Sequence, residues 1–184
     1  FKDFQLEIMK SSLAIFLLVV FASVFATGEN KKTNILFILA DDVGYEGLSC
    51  YGGQSYLTPR LDRLANNGIQ AMHCYSMPVC HPTRIAILTG CYPKKIGSPR
   101  WGEFPKNLER ETIAHALKDS GYATAVAGKW QLTLLKNDPK QPFRMGFDNY
   151  SVFGWHEGPR YHDPMIYENG SVKSGTKNKF GPDI

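Results

Sequence analysis

The sequence has no Cys-x-x-Cys pair, no dense run of lysine or arginine, no internal repeat and no low-complexity segment. Each absence removes a class of function. The four cysteines, Cys50, Cys74, Cys80 and Cys91, match no zinc pattern of paired C-x-x-C units. The same gap weakens a redox reading built on Cys74 and Cys80. The net charge of +4 is dispersed, so it offers no nucleic-acid footprint. Lengthy apolar runs are also scarce: Leu13–Ala22, continuing to Val24-Phe25-Ala26, is short for a membrane span.

What is present points to an exported globular domain. Hydrophobic residues make up 43% of the 184 positions and aromatics 12%, enough for a packed core and too much for a disordered chain. Met9-Lys10, the apolar run after it and the small residues Val24 and Ala26 form a secretory signal peptide over residues 9–26, with cleavage after Ala26. Residues 1–8 precede Met9 and read as upstream read-through, and 27–33 as a polar linker. Removing residues 1–26 deletes Lys2, Lys10, Asp3 and Glu7, so the charge stays at +4. The expected location is periplasmic or extracellular, with no membrane association once the leader is removed. Export permits disulfides, but if Cys80 has another role, at most one internal bridge can form.

Residues 35–40, Ile-Leu-Phe-Ile-Leu-Ala, are a continuous apolar run and read as a strand buried on both faces. Asp41 and Asp42 follow at its carboxyl end, where open α/β sheets bind ligands. Gly44–Tyr56 is a glycine-rich loop. Pro59–Asn67 has Leu61, Leu64 and Ala65 at helical spacing, with Gly68 as a stop. A short extended piece is expected around Ile69–Tyr75. Pro82–Thr89 reads as a helix opened by proline and closed by Gly90. Glu111–Asp119 reads as another helix, and Tyr122–Ala127 as a second buried strand leading to Gly128-Lys129. This order gives an α/β class. Beyond Leu132 the chain is rich in proline, glycine and aromatics and predicts few elements.

The segment Cys80-His81-Pro82-Thr83-Arg84 carries the most chemistry. Cys80 falls at a helix N-terminus, where unpaired backbone N–H groups and the helix dipole favour negative charge. Arg84 lies four residues on, on the same helix face. The pair suits a nucleophile that attacks an anionic group. A buried structural cysteine beside a surface arginine would have the same two residues.

The pattern C-x-P-x-R, followed by Ile85-Ala86-Ile87-Leu88-Thr89-Gly90, resembles the signature of the type I, formylglycine-dependent sulfatases of the alkaline-phosphatase superfamily. In that family the cysteine is converted to formylglycine by a formylglycine-generating enzyme. One hydroxyl of the aldehyde hydrate attacks sulfur, and the second drives sulfate from the covalent intermediate. Three further stretches are similar to the family. Asn34–Asp42 resembles its opening strand, implying calcium ligation by Asp41 and Asp42 together with the residue made from Cys80. A hard cation takes several oxygen ligands, so these supply only part of the shell. Thr58–Ala65 resembles the following structural helix. Gly121–Trp130 is similar to the second sulfatase signature, which implies that Lys129 contacts the sulfate oxygens.

One position departs. The family usually has histidine two residues after that lysine; here Gln131 stands there, able to hydrogen-bond but unable to act as acid or base near neutral pH. The resemblance covers Asn34 to Phe153 and implies an α/β/α sandwich with a mostly parallel sheet, residues 34–184 being the N-terminal part of the catalytic domain. Arg160–Pro164 and Tyr167–Gly170 are loosely similar to substrate-loop material in bacterial members. His115, His156 and His162 read as residues without catalytic duty. Asn149-Tyr150-Ser151 and Asn169-Gly170-Ser171 fit the glycosylation acceptor pattern, relevant only in a eukaryotic secretory host. The implied activity is sulfuric ester hydrolysis, arylsulfatase-like, on a sulfated small molecule or polysaccharide. The alternatives are a non-catalytic secreted remnant that binds sulfated glycans, and a phosphate or phosphonate ester hydrolase of the same superfamily.

Overall fold

A computed structural model describes residues 32–154 and 156–184. The expected leader at 9–26, residues 1–8 and most of the linker lie outside the described residues. By contact the chain divides into two units, Phe1–Ala40 and Asp41–Ile184.

In the first unit, residues 32–40 form no strand, and Leu36 and Ile38 are 85% and 75% exposed. This corrects the buried strand expected there. A parallel strand takes its burial from hydrogen-bonded neighbours and covering helices. Among the described residues this segment has no ladder partner.

In the second unit, two short 3₁₀ turns, Tyr45–Gly47 and Ser49–Tyr51, break up the glycine-rich loop. Helix α1 (Pro59–Asn67) begins with proline in its first turn, where a missing N–H is tolerated. The Thr58 hydroxyl bonds the Ser49 hydroxyl at 2.9 Å and donates to Asp62 Oδ1 at 3.1 Å, tying the loop to the helix start. No residue of α1 is buried. The piece after it takes no strand pairing and bends at Met72-His73. Helix α2 (Cys80–Thr89) starts two residues before Pro82 and ends at Gly90, whose φ of 67° is the left-handed cap that favours glycine. It buries His81, Thr83 and Ile85. Helix α3 (Ile113–Asp119) is capped by Thr112, whose Oγ1 accepts from the His115 N–H at 3.3 Å and donates to the Met145 carbonyl at 2.6 Å.

Strand β1 (Ala125–Lys129) lies a few residues later than expected. Thr124 holds the chain just before it: its N–H donates to Asp148 Oδ2 and its hydroxyl to the Gly146 carbonyl. A short helix α4 (Gln141–Arg144) leads to β2 (Asn149–Phe153), which pairs with β1 in parallel from Ala125–Asn149 to Lys129–Phe153. Strands β3 (Tyr167–Glu168) and β4 (Ser171–Val172) extend the sheet antiparallel, giving the order β1-β2-β3-β4. The class is α/β, with one parallel pairing of five residues and two antiparallel pairings of two each. Strand β1 is not buried, because it is the sheet edge and only β2 pairs with it among the described residues.

The core joins α2 to the segment after β1. Ile85, Trp130, Leu132, Leu135, Met145, Tyr150 and Val152 form one buried cluster. Fully burying Ile85 stabilises the fold by roughly 1.5–3 kcal/mol. Gln141 sits within this core as a hub. Its Oε1 accepts from Trp130 Nε1 at 2.9 Å and Thr133 Oγ1 at 2.5 Å, and its Nε2 donates to Glu109 Oε1 at 3.2 Å. All four cysteines are free thiols.

Candidate active site around Cys80

The packing of α2 against the end of β1 brings together four residues from distant parts of the sequence. Cys80 is half-buried in the first turn of α2. Lys129, the last residue of β1, places its Nζ 3.5 Å from Cys80 Sγ. The same ammonium lies 2.8 Å from Asp41 Oδ2. Arg84, one turn along α2, donates from Nη2 to that oxygen at 2.6 Å and from Nη1 to the Lys129 carbonyl at 2.6 Å. Arg84 therefore fixes both the backbone of Lys129 and the carboxylate of Asp41.

The electrostatics follow from this geometry. Partial burial pushes the Asp41 carboxyl up, but hydrogen bonds and charge from Lys129 and Arg84 outweigh it and hold the group below its ordinary value. Asp41 is thus a carboxylate at neutral pH, set between two cations. The Lys129 side chain is 8% exposed and that of Arg84 13%, so water screens these charges little. Two cations thus converge close to the N-terminus of α2, both engaged with the Asp41 carboxylate.

Asp42 is exposed and has φ 56°, a left-handed conformation that aspartate tolerates better than most residues. It is not joined with Asp41 and Cys80 in one cluster: among the described residues, no group of three or more His, Cys, Asp or Glu side chains could hold a metal ion. The physical reason is that Asp41 Oδ2 is turned to Lys129 and Arg84. Asp41 and Asp42 are hard oxygen donors, which fits calcium in kind and supplies part of its shell.

Gln131 is 4% exposed and has φ 45°. Its Oε1 is buried without a hydrogen-bond partner. An unpaired buried acceptor is costly, so this atom marks a place where a donor is wanted. The Gln131 backbone leaves the β1 direction directly after Trp130, whose indole is anchored on Gln141.

Sequence reasoning missed His81. It is 3% exposed, and its Nε2 lies 3.0 Å from the Glu103 carbonyl and 3.4 Å from the Leu132 carbonyl. Burial lowers its pKa, against the opposing pull of those carbonyls, so it is neutral at pH 7 and its Nε2–H is shared between them. His81 thereby ties the first turn of α2 to the segment carrying Gln131. The contact spans 51 positions and had no trace in the sequence beyond a histidine beside Cys80. Of the other histidines, His115 packs on the Arg144 carbonyl at 2.9 Å, His156 edge-on to Trp101 and His162 against Phe180, while His73 is exposed.

The family model described as Sulfatase matches residues 33–176. An N-acetylglucosamine-6-O-sulfatase of Bacteroides thetaiotaomicron is 36% identical over 174 residues, covering 90% of this chain and 29% of that protein. Human arylsulfatase A is 37% identical over 126 residues, covering 65% of this chain and 25% of that protein. A solved structure bound to its substrate, D-glucosamine-2-N,6-O-disulfate, superposes with TM-score 0.65 and 34% identity, covering 79% of this chain and 28% of that one. The chain thus spans less than a third of the length of these relatives. Across that span both the sequence and the alkaline-phosphatase-like α/β fold agree, and the chain belongs to the sulfatase family.

Proposed function

We propose that the protein is a sulfuric ester hydrolase in which Cys80 is the residue converted to formylglycine. The observation that carries this reading is the 3.5 Å approach of Lys129 Nζ to Cys80 Sγ, with Arg84 bonded to the Lys129 backbone. As formylglycine hydrate, residue 80 would supply a nucleophilic hydroxyl and a second hydroxyl that releases sulfate. The chain's own residues do the rest. The Lys129 ammonium takes sulfate oxygens and offsets charge that grows as sulfur is attacked. Arg84 holds Lys129 and Asp41 in place. Asp41 and Asp42 would hold calcium, which would neutralise further charge there. Gln131 orients the hydroxyls through its unpaired Oε1, and proton transfer falls to other groups.

The substrate proposed is a sulfated sugar of a polysaccharide, supported by the relative acting on N-acetylglucosamine 6-O-sulfate and by the disulfated glucosamine in the superposed structure. Export to the periplasm or extracellular space, directed by residues 9–26, fits such a polymer; among the described residues no helix is long and apolar enough to cross a membrane. Maturation requires a formylglycine-generating enzyme as partner. The test is hydrolysis of 4-nitrophenyl sulfate and 4-nitrophenyl phosphate by the natural full-length protein made with that converting enzyme. Faster turnover of the sulfate is expected; preference for the phosphate would favour the phosphoesterase alternative, and no turnover of either would favour the glycan-binding remnant.

A further inference from the structure

Gln131 holds a left-handed backbone, φ 45°, which a non-glycine residue keeps only where its surroundings over-determine it. The structure supplies locks on both sides. Toward β1, the Trp130 N–H donates to the Phe153 carbonyl at 3.1 Å. The Trp130 indole, 2% exposed, packs edge-on to Phe147 and donates from Nε1 to Gln141 Oε1 at 2.9 Å. On the far side, the Leu132 carbonyl faces His81 Nε2 at 3.4 Å, and Thr133 Oγ1 donates to the same Gln141 oxygen at 2.5 Å. One buried oxygen of α4 thus holds the chain just before Gln131 and again just after it.

The partners call for an amide at position 141. An indole nitrogen only donates, so the Gln141 oxygen must face Trp130. A carboxylate only accepts, so Gln141 Nε2 must face Glu109, whose Oε1 lies at 3.2 Å. A glutamate here would set a second carboxylate against Glu109. An aliphatic side chain would leave the indole N–H unpaired in the core. Glu109 is itself buried and braced by Arg144, whose Nε donates to Oε2 at 2.7 Å and Nη2 to Oε1 at 3.1 Å. Arg144 also donates to both oxygens of Asp138. This run of bonds reaches Trp130, the residue joined by peptide bonds to both Lys129 and Gln131.

We infer that Gln141 is a positioning residue: through the Trp130 indole and the Thr133 hydroxyl it holds Gln131 in its left-handed turn and fixes the end of β1 that carries Lys129. The inference rests on the proposed reading of Lys129 and Gln131 as groups that face the sulfate. A merely structural role for Gln141 predicts lost stability alone. A positioning role predicts a slower reaction in protein that is still folded, since a misplacement of about 1 Å can cost about 10²-fold in rate.

The test is hydrolysis of 4-nitrophenyl sulfate by the natural full-length protein made with the converting enzyme, at a temperature where circular dichroism shows each variant folded. Trp130→Phe keeps a ring in the core and removes the indole N–H; kcat should fall about tenfold or more, with KM changed less. Gln141→Met removes the acceptor and should give a similar fall. The double variant should be no slower than Gln141→Met, because both changes cut the same bond. Thr112→Ala, which loosens the fold at the cap of α3, lowers the melting temperature and leaves kcat within twofold. A kcat within twofold of wild type in folded Trp130→Phe, or losses that multiply in the double variant, overturns the inference. Hydrogen exchange reads the same hold without turnover: amides of residues 130–133 should exchange about tenfold faster in Trp130→Phe while those of α3 are unchanged, and unchanged exchange at 130–133 contradicts the inference. Failure of the hydrolase reading shows separately, as wild-type protein that cleaves no sulfate ester while Trp130→Phe still speeds that exchange.

Discussion

Lys129 is engaged at both ends: its ammonium reaches Cys80 Sγ and Asp41 Oδ2, and its carbonyl accepts from Arg84. Lys129→Met keeps the length of the side chain and removes the charge, so it isolates the electrostatic contribution. Loss of one such donor lowers kcat on 4-nitrophenyl sulfate by about 10²–10³-fold, with KM changed less; a kcat within twofold of wild type would show that Lys129 does not face the reacting sulfate. A second residue sets acid sensitivity. The carboxyl of Asp148 is drawn down to about 2 from its ordinary 3.8, first by the Lys118 ammonium at 2.5 Å and then by the Thr124 N–H. A depressed carboxyl contributes stability that is complete above 3.8 and is lost as pH falls from there toward about 2. Thermal melts across that window should fall for the wild type, and Asp148→Asn should flatten the slope.

At the scale of elements, the cap of α3 is a clear test of local design. Thr112 is 3% exposed, and its hydroxyl serves both the helix N-terminus and the buried Met145 carbonyl. Thr112→Ala removes both bonds and destabilises the fold by about 1–3 kcal/mol, read as a lower melting temperature. The sequence made some elements visible and hid others for physical reasons. Helix α1 was legible because proline and glycine mark its ends at Pro59 and Gly68. Strand β2 was not read, although Tyr150 and Val152 alternate with Asn149 and Ser151 and are buried at 2% and 1%. Its period-2 pattern is short and lies among prolines and glycines. The run at residues 35–40 misled in the other direction, since a continuous apolar stretch states a need for partners and does not supply them. In the site, Cys80, Arg84 and Lys129 were visible through their motifs. The Asp41–Arg84 and His81–Leu132 contacts join positions 43 and 51 residues apart, and nothing local announces either pairing.

On the scale of the whole molecule, apolar surface is unevenly covered. The cluster around Ile85, Leu132 and Met145 is sealed, whereas Leu61 and Leu64 of α1 are 42% and 68% exposed. Local opening costs least where few apolar groups are buried. Amides of α1 should therefore exchange with solvent much faster than those of β2, and hydrogen-exchange mass spectrometry on this chain checks the order; equal protection would show that α1 has a covering surface. The account as a whole stands on the chemistry of one side chain. Peptide mass spectrometry of Cys80, in protein made together with an active formylglycine-generating enzyme, should find the thiol replaced by an aldehyde that a hydrazide traps. An intact, alkylatable thiol at Cys80, with a control substrate fully converted, would contradict it.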